Sequence, residues 1–207
     1  MLDYENKSGD SIQQSAYKSL SAIRSVYSPS EINTETSWGI SDEFTNNKQT
    51  IVKQQQETSE STVSVFDVAL YILKRLGHSC STMKLHKLLY YCQAWSLVWD
   101  DCPLFSQKIE AWANGPVIRT LFNFHKGMYE ISVQDLSIGD DRNLNQNQKD
   151  TINTVLDSYG DKNAQWLINQ THIERPWREA RQGLAPDERG TNEISLESMS
   201  EYYSSLR

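Results

Sequence analysis

Apolar positions along this chain fall into short stripes separated by polar stretches, and most of the stripes have helical spacing. Ser64 and Asp67 stand at capping-box separation ahead of Phe66, Ala69, Leu70, Leu73 and Leu76, one face of a helix that Gly77 closes. Thr82 is placed to cap a longer helix from Met83 to about Trp99. Leu85, Leu88, Leu89, Cys92 and Trp99 lie on one side of it, and Tyr91, Ala94 and Val98 lie on the other with Lys87 among them. A helix apolar all round is a buried one, so this segment is read as the centre of the fold. Lys108 to Trp112 nearly alternates and runs into Asn114-Gly115, the pattern of a short strand entering a turn. Pro116 is then read as the first residue of a helix through His125, and Glu130 to Leu136 as a small hairpin. Asn145 caps a helix carrying Ile152, Val155, Leu156 and Tyr159, and Asp161 caps one carrying Trp166, Leu167 and Thr171. A last helix after Ser195 buries Met199, Tyr202 and Leu206. The fold class expected is mainly α: a compact multi-helix domain around a central buried helix, with a short β-hairpin.

Composition divides the chain at Thr62. Of the first 62 residues only 17 are apolar and 28 are Ser, Thr, Asn or Gln, too little to build a core, and Gln54 to Ser61 reads as a solvated connector. The remaining 145 residues can bury about 68% of their unfolded surface. Residues 1–62 are therefore expected to be a polar accessory arm, and 63–207 the domain. Within the arm, Ile12, Ala16, Leu20, Ile23 and Tyr27 form one helical stripe near residues 11–27, ended by Ser28-Pro29. A helix of that length hardly forms alone in water, so it needs a surface, either its own domain or a partner, the alternative being a segment that stays unstructured.

Charge and cysteine content narrow the function. With 20 basic and 27 acidic residues the chain carries a net charge of -7, which opposes a broad phosphate-binding surface; the arm alone has five basic and nine acidic residues. A DNA-binding regulator is for that reason ranked behind an enzyme. No apolar run approaches the roughly 20 residues of a membrane span, and Met1-Leu2-Asp3-Tyr4-Glu5-Asn6 has no signal-peptide character, so a cytoplasmic protein with reduced thiols is expected. Cys80, Cys92 and Cys102 lack metal-ligand spacing, His78 beside Cys80 supplies two ligands at most, and no phosphate-cradling Gly-rich loop or nucleophile elbow occurs. No cofactor and no metal are expected.

What remains is a set of polar residues among aromatics: Lys87-Leu88-Leu89-Tyr90-Tyr91, Glu110-Ala111-Trp112-Ala113-Asn114-Gly115-Pro116-Val117, and Thr171-His172-Ile173-Glu174-Arg175-Pro176-Trp177. Together with Met83 to His86, these three motifs in this order resemble the SocA-like, or Panacea, domain, over about residues 63–207. His86 stands where that family commonly carries Gln. The resemblance implies a mainly helical bacterial or phage antitoxin that neutralises a cognate protein toxin encoded nearby by direct binding. It also implies an adaptor role towards a Clp-type protease, and no enzymatic activity. The family-motif residues are Lys87, Tyr90, Tyr91, Glu110, Trp112, Gly115, Pro116, His172, Glu174, Pro176 and Trp177.

Each of these has a structural reading too. Lys87, buried, is expected to meet a carboxylate, with Glu110 or Glu174 the candidates. Asn114-Gly115-Pro116 is turn chemistry, Trp112 and Trp177 are core aromatics, and His172 is a helix-end residue. The alternative function is a hydrolase or transferase using His172 with Glu110 or Glu174, which requires those side chains to converge. The toxin-binding element expected on the arm is the stripe Ile12, Ala16, Leu20, Ile23 and Tyr27.

Overall fold

The computed structural model describes residues 63–206, so the arm and its stripe Ile12, Ala16, Leu20, Ile23 and Tyr27 lie outside the described residues. Helix α1, Val65–Leu76, begins with the expected capping box, Ser64 and Asp67 each accepting the other's backbone N–H, and is closed by Gly77. Aspartate suits this position for a further reason. Its carboxylate also accepts the Asp140 N–H at 2.7 Å and the Asn143 side-chain amide at 3.2 Å, tying the start of α1 to a loop more than 70 residues away.

Helix α2, Thr82–Trp99, is capped by Ser81 and not by Thr82, one residue earlier than the spacing indicated. It is the centre of the fold: Leu85, Leu88, Leu89, Tyr90, Tyr91, Cys92 and Trp95 are all fully buried. It packs against α1, the two short sheets and three later helices. Gln93, polar within this buried stretch, is satisfied by the loop that follows. Its oxygen accepts the Leu104 and Phe105 N–H groups, and its amide donates to the Phe105 carbonyl at 3.0 Å. One amide side chain thus folds the chain back from α2 towards the hairpin.

Strand β1, Cys80–Ser81, precedes α2. The hairpin after it consists of β2, Ile109–Trp112, and β3, Gly115–Ile118, in antiparallel register with Ala111 opposite Pro116 and Trp112 opposite Gly115. Pro116 therefore sits in a strand and does not start a helix. The hydrogen-bonded pair closing the two-residue turn is Trp112 with Gly115, and ladder bonds alternate, so the Pro116 nitrogen faces away from β2 and its missing N–H costs no bond. The outer groups of β2 are also used: Ala111 N–H donates to the Asn192 carbonyl, and the Ile109 carbonyl accepts from Ile194. Helix α3 is the short Arg119–Phe124.

Strand β4, Glu130–Ile131, pairs with β1 rather than folding into a local hairpin, and Val133–Leu136 is a 3₁₀ turn that buries Leu136. Helix α4, Gln146–Tyr159, has the expected Asn145 cap and stops at Gly160. Helix α5, Ala164–Ile173, is capped by Asn163, where Asp161 was expected. Helix α6, Arg175–Ala180, follows at once with Pro176 in its first turn, and α7, Leu196–Ser204, starts from Ser195 as expected. The face of α7 turns towards Met199 and Tyr203, while Tyr202 and Leu206 are half-buried. The described residues are thus mainly helical, with two small antiparallel sheets.

Candidate functional site

The motif side chains come from three places that converge: the middle of α2, the β2–β3 hairpin and the α5–α6 junction. On α2, Lys87, Tyr90 and Tyr91 are fully buried. Tyr91 turns towards the helices. Its ring stacks on Tyr159 at 4.2 Å between centroids, and its hydroxyl donates to Glu174 at 3.0 Å. Tyr203 donates to the other Glu174 oxygen at 2.7 Å. Tyr90 lies edge-on to both Tyr91 and Tyr203, and burial pushes its phenol well above the usual range.

Lys87 meets no carboxylate among the described residues, which corrects the expected ion pair. Its ammonium donates to the Pro116 carbonyl at 3.0 Å and lies 3.4 Å from the Met83 sulfur. Both candidate acids are committed elsewhere: Glu174 to the two tyrosines, and Glu110 to Arg119 and to the Trp112 indole N–H at 2.7 Å. Burial alone brings the Lys87 amine down to about 7. The strand position of Pro116 explains the geometry, because a residue whose N–H faces away from the hairpin also turns its carbonyl outward, towards α2.

Gly115 is required by this contact. Its φ is 95°, and a β-carbon there would lie 2.6 Å from Lys87 Cε and 2.9 Å from Thr171 Oγ1. Gly115→Ala is expected to lose roughly 1–3 kcal/mol from backbone strain and displacement of Lys87, measurable as a lower urea midpoint at unchanged slope.

His172 stacks on Trp177 at 4.1 Å, and its ring Nε2 is buried without a hydrogen-bond partner among the described residues. Burial, then the Lys87 and Arg181 charges, hold its imidazole below the usual value. Neither Glu110 nor Glu174 bonds to it, so the acid–base set of the enzyme reading does not assemble in this geometry. Pro176 is buried at the start of α6, whereas Trp112 and Trp177 are half-buried, Trp177 packing against the edge of the core. The Trp177 indole donates to the Trp112 carbonyl at 3.0 Å, joining α6 to the hairpin. Among the described residues no group of three His, Cys, Asp or Glu side chains could hold a metal ion, and Cys80, Cys92 and Cys102 are free thiols.

A histidine pair lies on the other side of Lys87. His86 Nδ1 accepts the Ile118 N–H at 3.2 Å, which places its proton on Nε2, 2.8 Å from His125 Nε2. Both rings are therefore neutral. The burial of His86, then the Lys87 charge and the one His125 would carry if protonated, keep its pKa well below the ordinary range.

Sequence reasoning missed Arg181. Its buried guanidinium donates to the carbonyls of Ala111, Ala185, Pro186 and Glu188, gathering the 185–190 loop against β2. Gly190 permits that approach, since a β-carbon there would lie within 2.3 Å of the Ala111 oxygen. The loop then carries Arg189 over the Trp112 ring at 4.5 Å. No local pattern marks Arg181, because four carbonyls converge on it only in three dimensions.

Beside this loop opens a cavity of about 430 Å³, lined among others by Met83, His86, Trp112, Val117, Phe122 and Arg189. Glu110 fixes the Trp112 wall through its bond to the indole and its paired contact with Arg119. Burial alone would raise the Glu110 carboxyl, but these donors outweigh it and hold it below the usual range.

Residues 85–178 match the family model described as Antitoxin SocA-like, Panacea domain, and all eleven motif residues fall within that span. No curated protein and no solved structure matches the chain.

Proposed function

We propose, from the match of residues 85–178 to the SocA-like Panacea family model, that the chain is an antitoxin neutralising a protein toxin, encoded nearby, by direct binding. The observation that supports this reading is how the motif residues are employed. Glu110, Glu174, Lys87, Pro116 and Trp177 hold three elements to one another, so the shared residues preserve a scaffold. A scaffold held together by these residues leaves the surface to decide which partner is bound. The surface left over contains the cavity walls Trp112 and Phe122 and the exposed Met128 and Tyr129, side chains of the kinds that anchor protein interfaces.

The polar arm, residues 1–62, is part of this proposal. Its stripe Ile12, Ala16, Leu20, Ile23 and Tyr27 supplies a second contact, laid on the toxin as an amphipathic helix. Substituting Leu20 and Ile23 together with Asp is expected to weaken neutralisation while leaving the thermal transition of the domain in place. Action in the cytoplasm follows from the same reading. Delivery of the toxin to a Clp-type protease rests on family likeness alone.

The test is co-expression with the adjacent reading frame in a bacterial host. The intact chain is expected to restore growth and to co-purify with the neighbour's product. A toxin whose half-life is unchanged in a host lacking Clp proteases would remove the adaptor role and leave direct binding. Failure of the intact chain to restore growth would overturn the antitoxin reading itself.

A further inference from the structure

We propose that the cavity between α2, the hairpin and the Arg181-held loop is an anchor site for a partner segment that presents an apolar side chain beside a carboxylate. Its identification with the toxin rests on the antitoxin reading, but the chemistry of the site stands on the structure. About 430 Å³ lies within the roughly 300–1,000 Å³ of side-chain and ligand pockets, and Met83, Val117, Phe122 and the Trp112 ring make its walls apolar. Such walls gain most from a buried branched or aromatic side chain.

The walls are also preset. Trp112 is held by its bond to Glu110, Phe122 packs edge-on to it at 4.7 Å, and the His86–His125 bond fixes the floor. A binding partner would therefore meet side chains whose ordering cost was met on folding.

Arg189 supplies the charge preference. It is exposed, sits over the Trp112 ring at 4.5 Å from its centroid, and its charge acts on Glu110 from a distance, without a salt bridge or hydrogen bond of its own among the described residues. Its loop is pinned by Arg181, so the guanidinium is offered from a fixed base rather than a free loop. The other guanidinium near Trp112, that of Arg119, is already taken by Glu110. A carboxylate beside the buried side chain can accept two parallel bonds from Arg189. Asp187 lines the same cavity and disfavours a second acid, so one carboxylate next to the anchor is the composition that fits.

Continuity with other exposed apolar surface favours a protein segment as occupant over a small molecule. Thr82, at the edge of the cavity, bonds through its backbone N–H to the Tyr129 carbonyl, and Tyr129 is 82% exposed with Met128 beside it. A partner seated in the cavity would cover these two residues as well. The cavity walls lie within the family-matched span except Thr82, Met83, Asp187 and Arg189, which places the charge-reading residue outside it.

The experiment uses the full chain labelled with fluorotryptophan, with the Trp112 resonance identified by its loss in Trp112→Phe. The probes are capped peptides of sequence Gly-Ser-Phe-Asp-Ser-Gly, its Phe-to-Ala and Asp-to-Lys versions, followed by fluorine NMR. The Phe-Asp peptide is expected to shift Trp112 saturably. Loss of either feature should weaken binding about tenfold, and Arg189→Glu should reverse the preference towards the Lys peptide. Arg189 is exposed and bonds to nothing that holds the fold, so this variant should keep the native thermal transition. Shifts without preference between Asp and Lys peptides, or no shift of Trp112, would overturn the proposal. The same variant is then co-expressed with the adjacent toxic frame. Peptide binding without any rescue by the intact chain would defeat the antitoxin reading while the site stands. Full rescue by Arg189→Glu would overturn the site's role in toxin binding while the antitoxin reading stands.

Discussion

Glu174→Ala is expected to cost on the order of 3–5 kcal/mol and to lower Tm by roughly 6–20 °C, the larger of the two structural effects argued here. Glu174 has no exposed surface, and it accepts from Tyr91 at 3.0 Å and from Tyr203 at 2.7 Å. Those phenols belong to different helices, α2 and α7, while Glu174 sits where α5 ends and α6 begins. Tyr91 in turn stacks on Tyr159 of α4, and Tyr203 packs edge-on against Trp95. Removing the carboxylate takes away an acceptor shared by two buried hydroxyls and opens a void among four helices. Glu174→Gln keeps one acceptor oxygen and the volume, so it should lose less than half as much. Tyr91→Phe and Tyr203→Phe should each lose about 1 kcal/mol, and a double-mutant cycle between Glu174 and Tyr203 should show coupling. A Glu174→Ala protein whose denaturation midpoint matches that of the parent would show that the carboxylate does not hold these helices together.

How far the fold could be read in advance depended on the range of the interaction responsible. Local capping was legible: Ser64 with Asp67, Asn145 and Ser195 all cap as expected, and the structure adds Gln148 as the reciprocal partner of Asn145. The burial of α2 on every face was also legible, since few segments place Tyr91, Ala94 and Val98 opposite Leu85, Leu88 and Leu89. Pro116 was misread because helix starts and outward-facing strand positions both tolerate a missing N–H. Only pairing with β2 and the bonds from β2 to residues 192–194 distinguish them. Ile131 went to β1 for the same reason: a two-residue strand has no pattern of its own, and its partner lies about fifty residues away. Within the site, the three motifs do converge, and Lys87 is buried as its position predicts. The identity of its partner was beyond reach, because Arg119 takes Glu110 and the two tyrosines take Glu174, competition that the spacing of the motifs does not record.

The lone burial of Lys87 has a consequence for stability against pH. The folded amine sits at about 7, and an unfolded lysine at 10.5. Below pH 7 both forms are protonated, and the folded chain carries the full penalty of a buried ammonium. As pH rises past 7 the folded state releases its proton first and the unfolded state holds more protons, so stability increases by 1.36 kcal/mol per pH unit. Other groups bound the window in which this shows. His86, His125 and His172, all held below 6.5, give stability that is present above about pH 6.5 and lost as pH falls, so they add little above 7. The buried thiols act in the opposite sense: Cys80 is pushed up to about 11 and Cys92 is raised further, so near pH 9 and beyond unfolding releases protons and stability turns down. Tyr90 adds to that decline at higher pH. Between pH 7 and 8.5 Lys87 is therefore the largest contributor among the described residues, and the urea-derived unfolding free energy is expected to rise by about 2 kcal/mol. Around the ammonium stand the Met83 sulfur, the Pro116 carbonyl, Gly115, Thr171, His86 and His172, and among the described residues no carboxylate to restore its charge. Lys87→Met should flatten the profile across this interval. Its absolute stability at pH 7 reflects two opposed changes, relief of the buried amine and an unpaired Pro116 carbonyl, so the slope is the quantity to compare. His172→Gln should leave the slope in place. A parent protein whose stability is level from pH 7 to 8.5, or a Lys87→Met protein with the parent's slope, would mean that Lys87 keeps its proton through a partner that this geometry does not contain.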